Sequence, residues 1–418
     1  MIDLCNGMHK MNDEILIPRS EHLARLAAFK DKRLIKIVTG IRRCGKSTLF
    51  ELYQMHLLGN GAAPEQIISL NFEDPEHEGL LHYKKLYDHI KSRLIPDKMN
   101  YVFLDEIQNV PEYERAADGL FIQKNVDLYL TGSNAHMLSG EIATLLSGRY
   151  VEIQMLPLSF KEYVTAVQGE GNLQKAYADY VRYSSFPYAL ALGDDRRRIN
   201  EYLGGLYNTI IFKDVVSRKK IADPLMLDSV VRFMFFNIGN LLSTTNIANT
   251  MKSQGRPVSI HTVENYLSAL TDAYVFYRAG RYDIKGRQYL TTGDKYYIAD
   301  IGLRYYLLGT KNVNMGSILE NIVYLELLSR GYRVFVGKLG NTEVDFVAEK
   351  PGGQTEYFQA ALTVRDQATL ERELAPLNNI KDHNAKYLLT LDMDPEAAYN
   401  GIRQLNALDW LMTDTSKN

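Results

Sequence analysis

The chain has 418 residues, of which 46% are hydrophobic and 23% are charged, and its formal net charge is −2. At about 100 to 200 residues per domain, this length predicts two to four globular domains. The charge argues against a generally basic nucleic-acid-binding protein but leaves a local basic patch open. The two cysteines, Cys5 and Cys44, are too few for a disulfide framework or a cysteine zinc site.

The first residues, MIDLCNGMHKMNDE, lack the long apolar core of a signal peptide. No stretch reaches the roughly 18 apolar residues that span a bilayer. We therefore expect a cytoplasmic protein with no membrane contact.

Residues 11–30 have apolar residues at helical spacing, which predicts a helix with Ser20 as its N-cap. Arg19 stands just before this helix, and two interpretations of it stay open. Its guanidinium could lie over an adenine base, or it could be a solvated arginine in the first helical turn.

Residues 33–51 read RLIKIVTGIRRCGKSTLFE, an apolar run followed by a glycine-containing turn and a helical pattern. The turn fits the phosphate-loop spacing G-x-x-x-x-G-K-[ST], in which glycines allow successive N–H groups to surround an anion. Lys46 would reach the β- and γ-phosphates of ATP, and the Ser47 hydroxyl suits the Mg2+ that bridges them. The predicted nucleotide-binding residues of the loop are Gly40, Ile41, Arg42, Arg43, Cys44, Gly45, Lys46, Ser47 and Thr48.

Short apolar strands alternate with helical segments after this loop, which predicts a parallel sheet covered on both faces. The strand YVFLDE runs directly into Asp105 and Glu106. Asp105 would hold Mg2+, directly or through water, and Glu106 would position and polarise the attacking water.

A further strand, residues 127–130, leads into Thr131-Gly132-Ser133-Asn134. Asn134 or Ser133 could touch the γ-phosphate or the water, and an ordinary turn is the alternative. Arg149 follows a helical segment and could stabilise charge on a phosphoryl group. That role requires an oligomer if it acts on a neighbouring subunit, and the sequence leaves open whether it acts in cis or in trans.

Four segments, GIRRCGKST, YVFLDEIQNV, LYLTGSNA and LSGRYVEIQMLPLSFKEY, resemble in order and spacing the bacterial and archaeal AAA-superfamily ATPases that carry a C-terminal domain of unknown function. The first three correspond to the Walker A, Walker B and sensor-1 elements of that family. The resemblance implies nucleotide-site roles for Lys46, Ser47, Asp105, Glu106 and Asn134, in agreement with the residues themselves.

Residues 166–222 have a helical pattern and are interpreted as a lid. Related ATPases commonly carry glycines before a Phe-Pro or Pro whose proline packs near the nucleotide base. Here Ser184 and Ser185 replace the glycines, while Phe186 and Pro187 are kept. The resemblance therefore implies that Pro187 contacts the base.

Residues 223–312 show two helical patterns, a turn and strand-type segments, which favour a winged helix-turn-helix. Thr262–Leu270 would be the recognition helix, yet it has no Arg or Lys to contact phosphates. Basic residues flank it, so DNA binding and simple packing as a lid both stay open. These flanking residues are Lys252, Arg256, Arg278, Arg281, Lys285 and Arg287.

Residues 313–418 have the helix–strand–strand order of PD-(D/E)xK nucleases, which hold Mg2+ with carboxylates and activate water. Glu320 and Asp345 suit the first two positions of such a site. Gln359 and Ala361 stand where the strand Glu and Lys belong. We therefore expect a nuclease-shaped domain without activity.

The sequence thus predicts an α/β protein with a P-loop NTPase parallel sheet, a helical lid, a winged-helix domain and a C-terminal restriction-endonuclease-like α/β domain. The parts are a P-loop AAA ATPase core at 1–165, then 166–222, 223–312 and 313–418. The predicted function is Mg2+-dependent ATP hydrolysis that changes the arrangement of the C-terminal modules. The alternatives are a nucleotide-gated DNA-binding protein with slow hydrolysis and a Mg2+-dependent nuclease. ATP is the expected ligand, and DNA, a second copy or another protein stay open as partners.

Overall fold

A computed structural model of the chain describes residues 9–11, 14–135, 146, 148–310 and 314–414. Contacts divide the chain into two compact units. Unit 1 comprises Met1–Pro157 and Asp272–Tyr274, and unit 2 comprises Leu158–Thr271 and Val275–Asn418. The chain therefore leaves unit 1 after Pro157 and passes through it once more at Asp272–Tyr274.

Unit 1 alternates strands and helices. Its strands are β1 His9–Met11, β2 Glu14–Leu16, β3 Ile35–Thr39, β4 Ile67–Asn71, β5 Asn100–Asp105, β6 Val126–Gly132 and β7 Tyr150–Gln154. Its helices are α1 Ser20–Ala28, α2 Lys46–Gly59, α3 Tyr83–Lys91 and α4 Tyr113–Ile122, with 3-10 turns at Pro64–Gln66, Pro75–Leu80 and Ile107–Asn109.

The described strands of unit 1 include a five-stranded parallel sheet in the order β4-β5-β6-β3-β7. Every residue of β3 and β5 is buried, as expected for strands covered on both faces. The predicted parallel sheet is confirmed. Because all five strands run the same way, the segments that follow β3, β4, β5 and β6 emerge at one edge, where ligands bind in open α/β sheets.

A buried ion pair crosses this sheet near the opposite edge. Lys36 of β3 and Asp127 of β6 are almost inaccessible, and the Lys36 ammonium donates to the Asp127 carboxylate. Asp127 also accepts the Tyr129 hydroxyl at 2.7 Å and the Asp31 N–H at 2.9 Å. Burial lowers the pKa of Lys36 and raises the pKa of Asp127, so desolvation opposes both charges and the added hydrogen bonds are needed to retain them.

Unit 2 is helical at first and then forms a large sheet. Its helices are α5 Phe160–Val167, α6 Leu173–Tyr183, α7 Pro187–Ala191, α8 Arg196–Thr209 with a π-helical continuation at Ile210–Ser217, α9 Pro224–Phe236, α10 Thr244–Ser253, α11 Ile260–Asp272, α12 Ile301–Leu308, α13 Met315–Ser329, α14 Gln367–Asn378 and α15 Ala407–Met412. Its strands are β8 Leu241–Leu242, β9 Phe276–Asp283, β10 Gln288–Ile298, β11 Arg333–Leu339, β12 Thr342–Glu349, β13 Thr355–Ala361, β14 Ala385–Thr390, β15 Ala397–Tyr399 and β16 Ile402–Asn406.

The described strands of unit 2 form one sheet of nine, in the order β15-β16-β14-β13-β12-β11-β9-β10-β8. The β9–β10 hairpin belongs to the segment predicted as a winged helix, and β9 pairs in parallel with β11 of the last segment. The sheet therefore continues across the boundary that the sequence predicts between residues 312 and 313.

In the described part of the chain, no helix is both long enough and apolar enough to cross a membrane.

Candidate nucleotide-binding site

The loop between β3 and α2 has the backbone of an anion cradle. Gly40, Arg43 and Gly45 take positive φ values of 149°, 66° and 103°, which turn neighbouring N–H groups toward a common centre. A Cβ on Gly40 would lie 2.0 Å from the carbonyl oxygen of Met155, so only glycine fits between β3 and the end of β7. Helix α2 then begins at Lys46 without a side-chain cap among the described residues, which leaves its first N–H groups for an anion.

Lys46 lies along this loop and is 4% exposed. Its ammonium donates to the carbonyls of Gly40 at 3.2 Å and Ile41 at 3.3 Å, and lies 3.5 Å from the carboxylate of Glu106. Burial alone would lower the pKa of Lys46, but the facing carboxylates of Glu106 and Asp105 contribute to raising it above its ordinary value. The lysine therefore keeps a positive charge at the place where phosphates would bind.

Asp105 lies at the end of β5 beside the start of α2. Its carboxylate accepts hydrogen bonds from the hydroxyls of Ser47 and Thr131. Burial raises the pKa of Asp105 despite these two bonds. A hydroxyl and a carboxylate that touch each other, next to a phosphate loop, are the oxygen ligands that Mg2+ takes in P-loop sites. The residues present therefore fit a bound Mg2+.

Glu106 follows directly and is held by three neighbours besides Lys46. Gln108 donates an amide hydrogen bond to its carboxylate, the Ser133 hydroxyl lies 3.1 Å from Oε2, and its N–H donates to Thr131 at 2.9 Å. Burial would raise the pKa of Glu106, but Lys46 and the Gln108 hydrogen bond outweigh it and hold the pKa below its ordinary value. An ionised, oriented carboxylate can accept a proton from water.

Asn134 and Ser133 both lie at the end of β6 and both are buried. Ser133 contacts Glu106, so the turn brings a polar side chain to the paired carboxylates. Asn134 makes contacts of its own, and its role toward a γ-phosphate stays a prediction.

Sequence reasoning missed Glu73. This residue follows β4, and its carboxylate lies 2.8 Å from the guanidinium of Arg42, which is 8% exposed. Asn71, at the end of β4, pairs with Asp105, so the residues after β4 emerge beside the two carboxylates. The signal was present in the segment QIISLNFEDPE, where an acidic residue directly follows a predicted strand.

Arg19 is buried rather than solvated, being 4% exposed. Its guanidinium donates to the carbonyls of Cys44 at 3.1 Å and Leu156 at 2.8 Å. Arg19 is itself the N-cap of α1, with φ of 38°, so the prediction that Ser20 is the N-cap is wrong by one residue. The interpretation of Arg19 as a solvated residue is wrong, because its buried guanidinium donates to the Cys44 carbonyl in the phosphate loop. Contact with an adenine base stays a prediction.

The other loop residues differ in accessibility. Ile41 and Cys44 are fully buried, and burial raises the pKa of the Cys44 thiol. Arg43 is exposed and Thr48 is half-buried. The side chain of Cys44 is therefore a packing residue of the loop.

Arg149 lies at the other edge of the sheet. It directly precedes Tyr150, which pairs with Ile35 at the start of β3, and its carbonyl accepts the Ile35 N–H at 2.8 Å. Its guanidinium pairs with Asp118 at 2.5 Å. Five strand residues separate this edge from the phosphate loop, about 16 Å at 3.3 Å per residue. In this structure Arg149 therefore does not reach the phosphate loop of its own chain, and action in trans stays a prediction.

Pro187 belongs to unit 2, where it begins α7. Before it, Ser184 has φ of 138°, a backbone conformation that favours glycine. Asp300 accepts hydrogen bonds from both serine hydroxyls, at 3.1 Å from Ser184 and 2.7 Å from Ser185, and from the Ser185 N–H at 2.6 Å. The hydrogen bonds to Asp300 thus hold Ser184 in a backbone conformation that usually requires glycine. Contact of Pro187 with a base stays a prediction.

Comparison with known proteins agrees with this geometry. A family model described as an AAA domain matches residues 32–164, and a model of a domain of unknown function matches residues 174–314. The Walker-type ATPase PABY2304 of Pyrococcus abyssi has a similar fold, with a TM-score of 0.51 and 16% identity over 73% of this chain and 99% of that one. Fold and site together define an AAA-type P-loop ATPase with a C-terminal region of unknown function.

Two curated relatives are close in sequence. An uncharacterised protein of Haemophilus influenzae is 39% identical over 95% of this chain and 99% of its own length. The uncharacterised protein MJ1544 of Methanocaldococcus jannaschii is 30% identical over 81% of this chain and 77% of its own. The chain belongs to the family that these two proteins represent.

Proposed function

We propose that the protein binds ATP with Mg2+ and hydrolyses it at the end of β3 and β5. The observation that carries this proposal is the arrangement of Glu106, which is oriented by Gln108 and Ser133 and lies 3.5 Å from Lys46 and next to Asp105, with its pKa held below the ordinary value. Lys46 and the first N–H groups of α2 hold the phosphates, and Ser47 with Asp105 holds the metal. Glu106 takes the proton of the attacking water. Mg2+ held by these residues would supply charge neutralisation for the phosphates.

The test is turnover by the purified protein. Lys46→Ala is expected to abolish ATP binding, and Glu106→Gln is expected to bind ATP but to hydrolyse it roughly 100- to 10,000-fold more slowly. Ser92→Ala, which removes an exposed hydroxyl at the end of α3, is the control. Unchanged turnover in Glu106→Gln would exclude this glutamate as the base.

We further propose that hydrolysis changes the arrangement of unit 2. The supporting observation is the segment Asp272–Tyr274, which belongs to unit 1 although the rest of α11 before it and β9 after it belong to unit 2. Within unit 1, the Tyr274 hydroxyl lies 3.5 Å from Glu152 Oε1, the oxygen that accepts the Thr39 hydroxyl at 2.6 Å. Thr39 is the residue before Gly40. A shift of the phosphate loop therefore has a short path to α11 and β9.

A second candidate function is nucleotide-gated DNA binding with slow hydrolysis. It is favoured by the order of α9, β8, α10, α11 and the β9–β10 hairpin, which is that of a winged helix. The pairing of Arg278 with Asp294 at 2.7 Å weakens this candidate. Lys285 and Arg287 at the hairpin tip favour it, because both are exposed. DNA titrations at several salt concentrations, with and without ATP, test whether the protein binds DNA and whether ATP controls that binding. Real phosphate contacts give an affinity that falls steeply with salt.

A further inference from the structure

Lys295 is a buried cation that none of the preceding roles uses. It lies on β10, and its side chain is 5% exposed. Its ammonium is 2.8 Å from Glu320 Oε1 on α13 and 2.7 Å from Glu343 Oε1 on β12. The Tyr297 hydroxyl, two residues along the same strand, donates to the same Glu320 oxygen at 2.7 Å. One strand of the hairpin therefore supplies both a charge and a hydroxyl to the carboxylates of the last segment.

Asp345 completes this acidic centre. Burial and then the charge of Glu320 raise the pKa of Asp345 well above its usual range, while Lys295 opposes that shift. Burial would lower the pKa of Lys295, but Glu320, Asp345 and Glu343 outweigh it and raise the pKa. The Lys295 ammonium, in contact with the carboxyl groups of Glu320 and Glu343, thus has the charge-balancing place that a divalent cation has in a nuclease site.

The other residues of the predicted nuclease site, Asp345 and Gln359, already form hydrogen bonds within the protein. Asp345 Oδ2 accepts the N–H of Ala360 at 2.9 Å. The Gln359 amide accepts the N–H of Asp345 at 3.2 Å and donates to Glu373 at 3.0 Å. Among the described residues, no group of three or more His, Cys, Asp or Glu side chains is arranged to hold a metal ion.

The centre is also covered. Gly239, in the loop between α9 and β8, has φ of 73°, and a Cβ there would lie 3.3 Å from Glu320 Oε2. The Gly239 N–H donates to the Tyr296 carbonyl at 3.2 Å, which fixes the loop to β10. Backbone therefore lies against the Glu320 carboxyl group and leaves no room there even for a methyl group without a shift of that side chain.

We propose that Lys295 is the resident cation of this centre, standing where a divalent metal would stand, and that the centre is a metal-independent clamp. It joins the hairpin to α13 and β12, at the place where β9 and β11 already pair. The clamp then holds the segments 223–312 and 313–418 together as one body. This proposal is independent of the ATPase chemistry.

The first test compares the unaltered protein with Asp345→Asn in the absence of nucleotide. Mn2+ and Mg2+ are titrated while Tm is followed, and supercoiled plasmid is incubated with each metal. We expect the wild type and Asp345→Asn to respond identically to metal, because weak binding elsewhere is common to both, and we expect no cleavage. Metal binding or plasmid cleavage that is lost in Asp345→Asn would overturn the proposal.

The second test is a double-mutant cycle on stability. Lys295→Met leaves buried carboxylates without their cation and should lower Tm by about 6 to 12 °C. Adding Glu320→Gln should recover part of that loss, because the unbalanced charge is reduced. Lys285→Met, at the exposed hairpin tip, is the matched control and should leave Tm unchanged. If Lys295→Met is as stable as the control, or if Glu320→Gln gives no recovery, Lys295 is not the cation of the centre.

Discussion

Thr39 donates a 2.6 Å hydrogen bond to Glu152, and this bond joins the strand that carries the phosphate loop to β7. The same carboxylate oxygen lies 3.5 Å from the hydroxyl of Tyr274, which is 4% exposed. Burial raises the pKa of Tyr274, so the phenol stays neutral and available as a donor. Two polar contacts thus connect Thr39, the residue before Gly40, to Tyr274, whose segment joins α11 to β9.

Tyr274→Phe should weaken the response of unit 2 to nucleotide while ATP binding persists, since the mutation removes a contact to Glu152 and keeps the ring. The measurement is hydrogen–deuterium exchange of α11 and β9 with and without a non-hydrolysable ATP analogue. Tyr266→Phe is the control, because its hydroxyl lies on α11 and donates to the Asp223 carbonyl at 3.3 Å. An undiminished nucleotide response in Tyr274→Phe would exclude this path.

Gln108→Leu and Ser133→Ala should each slow ATP hydrolysis by roughly 10- to 100-fold, because a small misplacement of a catalytic group is costly. ATP affinity should hardly change, since neither side chain touches the phosphate loop. Steady-state kcat and a separate nucleotide-binding titration distinguish the two effects. If affinity fell while kcat stayed constant, Gln108 and Ser133 would not be positioning Glu106.

Glu73→Gln should tighten ATP binding by about 3- to 10-fold, which corresponds to roughly 1 kcal/mol of charge interaction at a partly buried site. Glu73 holds the guanidinium of Arg42 and places a negative charge near the triphosphate, and the amide removes that charge. Calorimetric titration with ATP measures the change. Glu65→Gln is the control, because Glu65 is exposed just before the start of β4. Weaker binding in Glu73→Gln would mean that the ion pair shapes the loop instead of competing with phosphate.

The local parts of the site could be predicted from sequence because each is set by a short segment. The spacing of Gly40, Gly45 and Lys46 fixes the loop, and an apolar strand that runs into Asp105 and Glu106 fixes their position at its end. The contacts of Arg19 depend on register between distant segments, since it reaches Leu156 across 137 residues. A sequence pattern does not show which distant segments lie side by side, so the contact of Arg19 with the phosphate loop could not be predicted.

The same limit applies in unit 2. Gln359 and Ala361 stand where the Glu and Lys of a nuclease strand belong, which can be read from the strand itself, and the expectation of a domain without nuclease activity stays a prediction. That Lys295 would approach from another strand depends on the pairing of β9 with β11, which only the folded sheet reveals. Glu343 lies only two residues before Asp345. Its role as a partner of Lys295 likewise becomes visible only in the folded sheet.

Asp127→Asn should destabilise unit 1 by about 3 to 5 kcal/mol, because it leaves the buried ammonium of Lys36 without its counter-charge. Urea unfolding followed by tyrosine fluorescence and circular dichroism measures the loss. The double variant Lys36→Met and Asp127→Leu should be more stable than Asp127→Asn, since no buried charge remains. A loss below 1 kcal/mol, roughly the worth of an exposed pair, would show that water reaches this pair.

Arg149→Ala should reduce ATP turnover only where chains associate, because Arg149 lies at the edge of the sheet opposite its own phosphate loop. An arginine supplied in trans is worth about 1,000-fold or more in hydrolysis. Mixing Arg149→Ala with Lys46→Ala tests this directly, since the Lys46→Ala chain can supply its Arg149 to the intact phosphate loop of the Arg149→Ala chain. Activity should reappear in the mixture and rise with protein concentration. Arg33→Ala is the matched control, because Arg33 and Arg149 both lie 5.6 Å from the Phe121 ring. Full activity in Arg149→Ala alone, or a loss that mixing does not repair, would exclude an arginine shared between subunits.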